Sequence, residues 1–388
     1  MTVLIVDDNA MNVMVIQEML KRAGYDDFRV AYSAGEMFEL LTNVSNGNDV
    51  ETPRVDLILL DLMMPVMDGI EACRILQSNP LYKDIPVIIV TAIGDSRKLA
   101  EALDAGAIDF VTKPINKTEL LARMRSALKL KRELDWHKER DSRMRQELLL
   151  ARQVQESVLP DQVDTSDVRI KAYFQASEAL AGDLYAWHRI SDKRWAIAVI
   201  DAMGHGISSS LVSMFIASIL KESMRTHYSP ERVLTELNRR LMGLQWENEL
   251  IHYFCTGIYV TIDLELGELE YANAGHPSGF VYRAHDRKPE KLFVSSAPMG
   301  LFEKIDIVTR KVALSSGDRL YLFTDGILGP FHGDDEAQLE QLATFLHQNG
   351  ENDYNLEQLI SAKPFDGRSD DRCLVKVEVR TGGVRHEN

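Results

Sequence analysis

Between Asn116 and Leu159 the chain contains no glycine and no proline. Charged helix formers dominate that stretch, ELLARMRSALKLKRELDWHKERDSRMRQELLLARQVQESV. Such a segment predicts one continuous α-helix of about 60 Å at 1.5 Å per residue. It is longer than one small domain needs. It therefore divides the 388-residue chain into a first domain, residues 1–125, a helical linker, residues 126–159, and a second domain, residues 160–388. A seam runs through Leu120, Met124, Ala127, Lys131, Leu134, His137, Asp141, Met144, Leu148, Ala151, Gln155 and Val158. Its steps alternate between four and three except around Leu134, where the heptad breaks and the seam is polar. Apolar ends with a polar middle suit a parallel coiled-coil homodimer that can change register. A solvated helix lying on its own domain is the other reading.

The balance of charge narrows the function classes. Net charge is −15, which argues against a general nucleic-acid or anionic-membrane surface, and no basic recognition helix suggests a DNA-binding output. Cys73, Cys255 and Cys373 are far apart, so neither a disulfide framework nor a zinc site is expected, and a reducing cytoplasm is the default. MTVLIVDD reads as a strand rather than a signal peptide. The longest apolar helix-like run, LVSMFIASIL, is too short for a bilayer. The expectation is a soluble, cytoplasmic protein.

In residues 1–125 apolar runs alternate with amphipathic helices. VLIVDD, VDLILLD, IPVIIVTA and AIDFVTKP read as strands, with DFRVAY as a weaker second strand. Continuous Val/Ile/Leu runs mark buried parallel strands, giving a doubly wound, flavodoxin-like α/β sheet. NVSNGNDVETP reads as a surface loop. In such a sheet the site lies at the carboxyl ends of the strands. Those ends carry Asp7 and Asp8, then Asp61, Thr91 and Lys113. The chemistry follows: Asp7 and Asp8 hold Mg²⁺, and Asp61 is a carboxylate nucleophile for a phosphoryl group. Lys113 offsets the charge that develops, and Thr91 hydrogen-bonds the phosphoryl oxygens. The order DD…D…T…KP resembles a response-regulator receiver domain over essentially the whole of these residues. The resemblance implies phosphorylation of Asp61 by a cognate histidine kinase. It implies a Mg²⁺ shell from Asp8, Asp61 and the Met63 carbonyl, and an aromatic, Phe110, that rotates when Thr91 is drawn to the phosphoryl group. Pro65 and Gly69 match the loop after the nucleophile.

The second domain mixes strand-like runs with two helices, HGISSSLVSMFIASILKESMR and SPERVLTELNRRLMGL, the latter with Ser229 as its cap. Many strands without βαβ alternation argue an α+β sandwich. Asp183 in AGDLY, Asp201 in DAMGHG, Asp325 in LFTDG and Asp370-Asp371 in RSDDR sit at turns beside strand-like runs. Carboxylates that converge repel one another unless a cation lies between them. An oxygen-only set suits Mg²⁺ or Mn²⁺, and a two-metal site of this kind activates water against phosphoesters.

From LARQVQESVLP to the last strand, these motifs, with NAGHP (273–277) and PMGLF (298–302), resemble the bacterial PPM (PP2C-like) Ser/Thr phosphatases of stress response and sporulation. The resemblance implies a PP2C-like β-sandwich holding two Mn²⁺ or Mg²⁺. Asp201 would bridge both ions and the Ala202 carbonyl would ligate one. Asp183 and Asp325 would hold one ion and Asp370 the other, with Asp371 a water-mediated or outer ligand. Gly204 and Gly206 let backbone pass near the site. His205 either positions a water or is a turn residue, and Asn273 and His276 shape the wall. Three positions depart from the family: Ala181-Gly182 replaces a double glycine, Ala186 replaces a second acid, and Cys373 replaces a threonine. By kinship the substrate is a phosphorylated STAS-type anti-sigma-factor antagonist, placing the protein in sigma-factor regulation. The alternative is a non-catalytic adaptor that binds a sigma or anti-sigma factor. Retention of the four main acids separates the enzyme from the adaptor, and the sign of control stays open.

Overall fold

The computed structural model describes residues 1–388 except 46–54, 93–95, 245–252, 285, 287, 366, 368–369 and 381–388. Most of NVSNGNDVETP, and Arg368 and Ser369 of RSDDR, lie outside the described residues. The chain divides into two compact units, Met1–Met144 and Arg145–Asn388, so the division falls inside the long helix.

In the first unit β1 (Thr2–Val6), β2 (Phe28–Ala31), β3 (Val55–Asp61), β4 (Val87–Thr91) and β5 (Asp109–Thr112) form a parallel sheet in the order β2-β1-β3-β4-β5. Helices α1 (Ala10–Lys21), α2 (Ala34–Ser45), α3 (Gly69–Ser78), α4 (Ser96–Asp104) and α5 (Lys117–Val158) accompany it. Strand side chains alternate between two faces. Leu4, Leu60 and Ile89 pack with α2 and α3, while Ile5, Leu59 and Ile88 pack with α1 and the start of α5. Asn9 and Asp68 cap α1 and α3 by accepting from Met11 N and Glu71 N.

Helix α5 is a single helix, as its composition requires, but the seam drawn along it does not stay available to a partner. Leu120, Met124 and Ala127 belong to the core of the first unit. Lys131 is 1% exposed, with its ammonium 2.6 Å from Asp135. Gln155 is buried in the second unit. The exposed apolar residues beyond Leu134 are instead Trp136, Met144, Leu149, Leu150, Val154 and Val158. Among the described residues no helix is long and apolar enough to cross a membrane.

The second unit continues with β6 (Val163–Asp164), β7 (Val168–Gln175), β8 (Asp183–Ser191), β9 (Arg194–Ala202), α6 (Ile207–Thr226), α7 (Pro230–Met242), β10 (Cys255–Asp263) and β11 (Glu268–Ala274). Then come β12 (Gly279–Tyr282), β13 (Glu290–Leu292), β14 (Arg310–Ala313), β15 (Arg319–Phe323), a 3-10 turn (Asp325–Leu328), α8 (Asp335–Asn349), α9 (Asp353–Ser361) and β16 (Arg372–Val379). Two sheets, β14-β11-β10-β9-β8 and β13-β12-β15-β16-β7-β6, are built from antiparallel pairs. Ile197, Val199, Ile258, Leu322 and Val375 fill the space between them. Helices α6 and α7 cover one outer face, and α8 and α9 cover the other. Ser229 stands at the start of α7 with Pro230 behind it, but its hydroxyl makes no capping bond.

Candidate functional site

Each unit gathers acids at strand ends. In the first unit, oxygens of Asp7, Asp8 and Asp61 lie within 4.8 Å of one another. Asp7 is pinned from two sides. Its carboxylate accepts from the Asn12 amide at 3.0 Å and from the Asn9 backbone N–H at 2.9 Å. Lys113 reaches across from the end of β5, its Nζ 2.8 Å from Asp7 and 2.9 Å from Asp61. Burial raises the Asp61 pKa, the Lys113 hydrogen bond opposes that rise, and the Asp7 charge adds to it. Burial alone would lower Lys113, but its hydrogen bonds to Asp7 and Asp61 prevail and raise it. Three carboxylates against one ammonium, all donors oxygen, fit a hard divalent cation.

Thr91 ends β4, wholly buried, while Met63 and Asp8 are exposed. Phe110 is half-buried against the α2–α3 face, with the Arg123 guanidinium 5.5 Å from its ring centroid. A Cβ on Gly69 would stand 2.4 Å from the Asp61 carbonyl oxygen, so a side chain there would collide with the backbone of the nucleophile.

In the second unit Asp183 opens β8 and pairs in register with Asp201 near the end of β9. Asp325 follows β15, and Asp370-Asp371 precede β16, its antiparallel neighbour. Four strand termini from two sheets thus deliver the five acids to one region. Their charges register on one another. Asp183 is 4% exposed and its carboxyl is pushed well up by burial and then by Asp201, while a Thr324 hydrogen bond opposes this. Asp201 is raised by burial and then by Asp325, Asp370 and Asp371. Asp325 and Asp370 are raised in the same direction, burial first. Asp183 Oδ2 is buried without a hydrogen-bond partner among the described residues. A cluster of mutually raised carboxylates with an orphaned buried oxygen fits a divalent cation set. The acids are more widely spaced than in the first unit. Among the described residues, only Asp7, Asp8 and Asp61 close to within 4.8 Å as a trio.

Asp371 is placed differently from the other four. Its two oxygens accept from Ser177 N at 2.7 Å and Gly182 N at 2.6 Å, which fixes the loop entering β8. Gly326 makes that arrangement possible, because a Cβ there would stand 2.0 Å from the Asp371 carbonyl oxygen. Ala202 is buried, and Gly204 and Gly206 take positive φ in the loop beyond it. His276 bonds Thr256 Oγ1 through Nδ1 at 2.9 Å, and Asn273 Oδ1 accepts from the His276 N–H at 2.8 Å, a buried wall.

Three neighbours were not singled out from the sequence. Thr324 Oγ1 accepts from Cys373 N at 3.0 Å and also bonds Asp183. Glu178 lies 2.9 Å from His205 Nδ1 at the exposed rim. Gln155, from the last turns of α5, bonds the Ala181 backbone. Thr324 had a signal, standing beside Asp325 in LFTDG. Glu178 and Gln155 act through long-range pairings that spacing does not reveal.

Comparison with known proteins agrees with both halves. The response regulator receiver domain family matches residues 3–125, and the Stage II sporulation protein E (SpoIIE) family matches residues 191–380. The chain joins a receiver domain to a PP2C-like domain of the SpoIIE family. The phosphoserine phosphatase RsbP of Bacillus subtilis (strain 168) is 31% identical over 250 residues, 61% of this chain and 58% of RsbP. The cyclic di-GMP phosphodiesterase response regulator RpfG of Xanthomonas campestris pv. campestris (strain 8004) is 46% identical over 99 residues, 26% of each chain. This chain therefore spans less than two thirds of the curated relatives it matches. The SiaA-PP2C domain of Pseudomonas aeruginosa superposes with a TM-score of 0.51 at 17% identity, over 61% of this chain and 98% of that one, a likeness of fold. Asp201, Asp325 and Asp370-Asp371 fall inside the matched PP2C-like segment, and Asp183 stands just before it.

Proposed function

We propose that a histidine kinase phosphorylates Asp61 and that the receiver domain thereby controls a metal-dependent protein serine/threonine phosphatase in the PP2C-like domain. The observation that carries this reading is the cluster of Asp183, Asp201, Asp325 and Asp370, whose raised carboxyls and unpartnered Asp183 oxygen are costly without cations. Bound Mn²⁺ or Mg²⁺ supplies charge neutralisation and lowers the pKa of a water.

The chain's own residues do the rest. Asp201 and the Ala202 carbonyl, with Asp183, Asp325 and Asp370, hold the ions. Asp371 fixes the loop that carries Asp183, and the Thr324 hydroxyl sets the Asp183 carboxyl. His205, beside Glu178 at the rim, is placed to orient a phosphoryl group or a water.

In the receiver, Asp7, Asp8, Asp61 and the Met63 carbonyl hold Mg²⁺. Lys113 offsets charge on the phosphoryl group, and Thr91 and Phe110 report it. RsbP is named a phosphoserine phosphatase, which supports a phosphoserine substrate. We assign that substrate to the STAS-type anti-sigma-factor antagonists. The exposed apolar residues Leu150, Val154 and Val158 on α5 support a homodimer through that helix, tested by sedimentation of a Leu150→Glu/Val154→Glu variant.

The deciding experiment is hydrolysis of p-nitrophenyl phosphate with Mn²⁺, with and without beryllofluoride. Turnover that Asp201→Asn abolishes, with the fold retained, upholds the phosphatase. No turnover here or on a phosphoprotein would replace it with the adaptor.

A further inference from the structure

Strand β8 is the outer edge of its sheet. Along that edge the end of α5, β8 and α6 surround a cavity of about 650 Å³. That is the size of a small-molecule site, for which roughly 300–1,000 Å³ is usual.

Its lining has two characters. Leu184, Ala186 and Met224 give an apolar wall, and the Trp187 ring stacks on Tyr185 with centroids 5.3 Å apart. The mouth is cationic. Lys221 and Arg225 lie one turn apart on α6, both exposed, and neither has an acidic partner among the described residues. That is notable in a chain of net charge −15, where exposed cations on α5 such as Arg143 and Arg152 are paired with Glu139 and Glu156. Beside them His188 is held below its ordinary pKa, by burial and then by the Arg225 charge, so it offers a neutral imidazole. Asp161 is the acid of the lining. Its backbone carbonyl accepts from Trp187 Nε1 at 3.1 Å, which steadies the ring.

We propose that this cavity binds a small organic carboxylate with an aromatic or acyl body, its head between Lys221 and Arg225 and its body on Trp187 and Leu184. Unpaired cations above an apolar floor are complementary to such an amphiphile and to neither a neutral sugar nor a cation. The position has a consequence for the chemistry. Strand β8 begins at Asp183, α6 follows the loop from Asp201, and the end of α5 carries Gln155. A ligand wedged between these elements biases the acids they hold. The site stands apart from the phosphatase reading, and only its effect on turnover rests on that reading.

The test uses the full chain and 8-anilinonaphthalene-1-sulfonate as a fluorescent probe, with decanoate as competitor. Saturable binding at one site per chain is expected, displaced by decanoate. It should be about tenfold weaker in Lys221→Ala/Arg225→Ala, a loss of roughly 1.4 kcal/mol. Both positions are exposed, so the circular dichroism spectrum should not change, and Ala217→Trp fills the cavity as an independent second variant. Unchanged probe affinity in the double variant, or failure of decanoate to displace, overturns the site. If no phosphatase turnover is found in any state, the fluorescence result still decides the site.

Discussion

Gln155 holds Ala181 by both of its backbone groups: its Nε2 donates to the Ala181 carbonyl at 2.7 Å and its Oε1 accepts from the Ala181 N–H at 3.0 Å. Both residues are buried, and Ala181 stands two positions before Asp183. The end of α5 is thereby tied to the loop that carries a site acid. Gln155→Ala leaves two buried backbone groups unpaired, at about 1–3 kcal/mol each. It should lower phosphatase turnover roughly ten- to a hundredfold, as expected when a catalytic group is displaced by about 1 Å. Asp61 phosphorylation should be unaffected. Unaltered turnover would separate α5 from the control of the site.

Asp61→Ala removes the acceptor but leaves Asp7 paired with Lys113. Basal turnover should persist while its response to a phosphodonor disappears. Measured with and without beryllofluoride, a response that survives would place the signal elsewhere than Asp61.

Gly326→Ala puts a methyl group against the Asp371 carbonyl, where only 2.0 Å is available. The start of β16 must shift, and Asp370 and the loop held by Asp371 shift with it. Overpacking of this kind costs about 1–3 kcal/mol. A lower urea midpoint together with at least a tenfold loss of turnover is expected. A lower midpoint with full turnover would mean that the acids tolerate the shift.

Acid stability should depend on Asp353. Burial raises its pKa, but Tyr173 and Lys171 hydrogen bonds and the Lys171 and Lys376 charges outweigh that, holding it at about 2. The unfolded value is about 3.9. A depressed carboxylate stabilises the fold above its unfolded pKa and loses that contribution as pH falls through the folded one. With the site partly open to solvent, the contribution is on the order of 1 kcal/mol. Asp353→Asn should therefore lower Tm at pH 7 and converge with the parent protein as pH falls from about 4 toward 2. Parallel curves over that window would exclude this group.

The raised acids predict the opposite sign. Without divalent metal, Asp201→Asn should raise Tm at neutral pH, because it removes one repelling charge. Added Mn²⁺ should stabilise the parent protein and not the variant. A thermal scan in chelator and in Mn²⁺ checks both halves.

The first unit was legible because its signals are local. Continuous apolar strands end in the residues that form the site, so β1, β3, β4 and β5 place Asp7, Asp61, Thr91 and Lys113 without knowledge of packing. The second unit was legible in its strands and less so in its helices. Helices α8 and α9 were not anticipated, although Asp334 and Asn352 cap them in the ordinary way. The seam along α5 misled because Lys131 and Gln155 look like solvated polar positions. Each is buried by a partner that spacing cannot show: Asp135 within the helix, and Ala181 across 26 residues. Asp371 was grouped with the ligating acids by adjacency, while its oxygens are engaged by two amides nearly 190 residues away.

The acids at the strand ends also bear on how such a chain can drift. They sit outside the apolar layers, so replacing one leaves the sandwich intact and relieves repulsion in the metal-free protein. Random substitution at Asp201 or Asp325 therefore leads toward a hardier chain that no longer turns over substrate. A lineage under selection for stability alone would slide in that direction, toward a pure binding module. A sequence that still carries Asp183, Asp201, Asp325 and Asp370 together has been kept from the easier path.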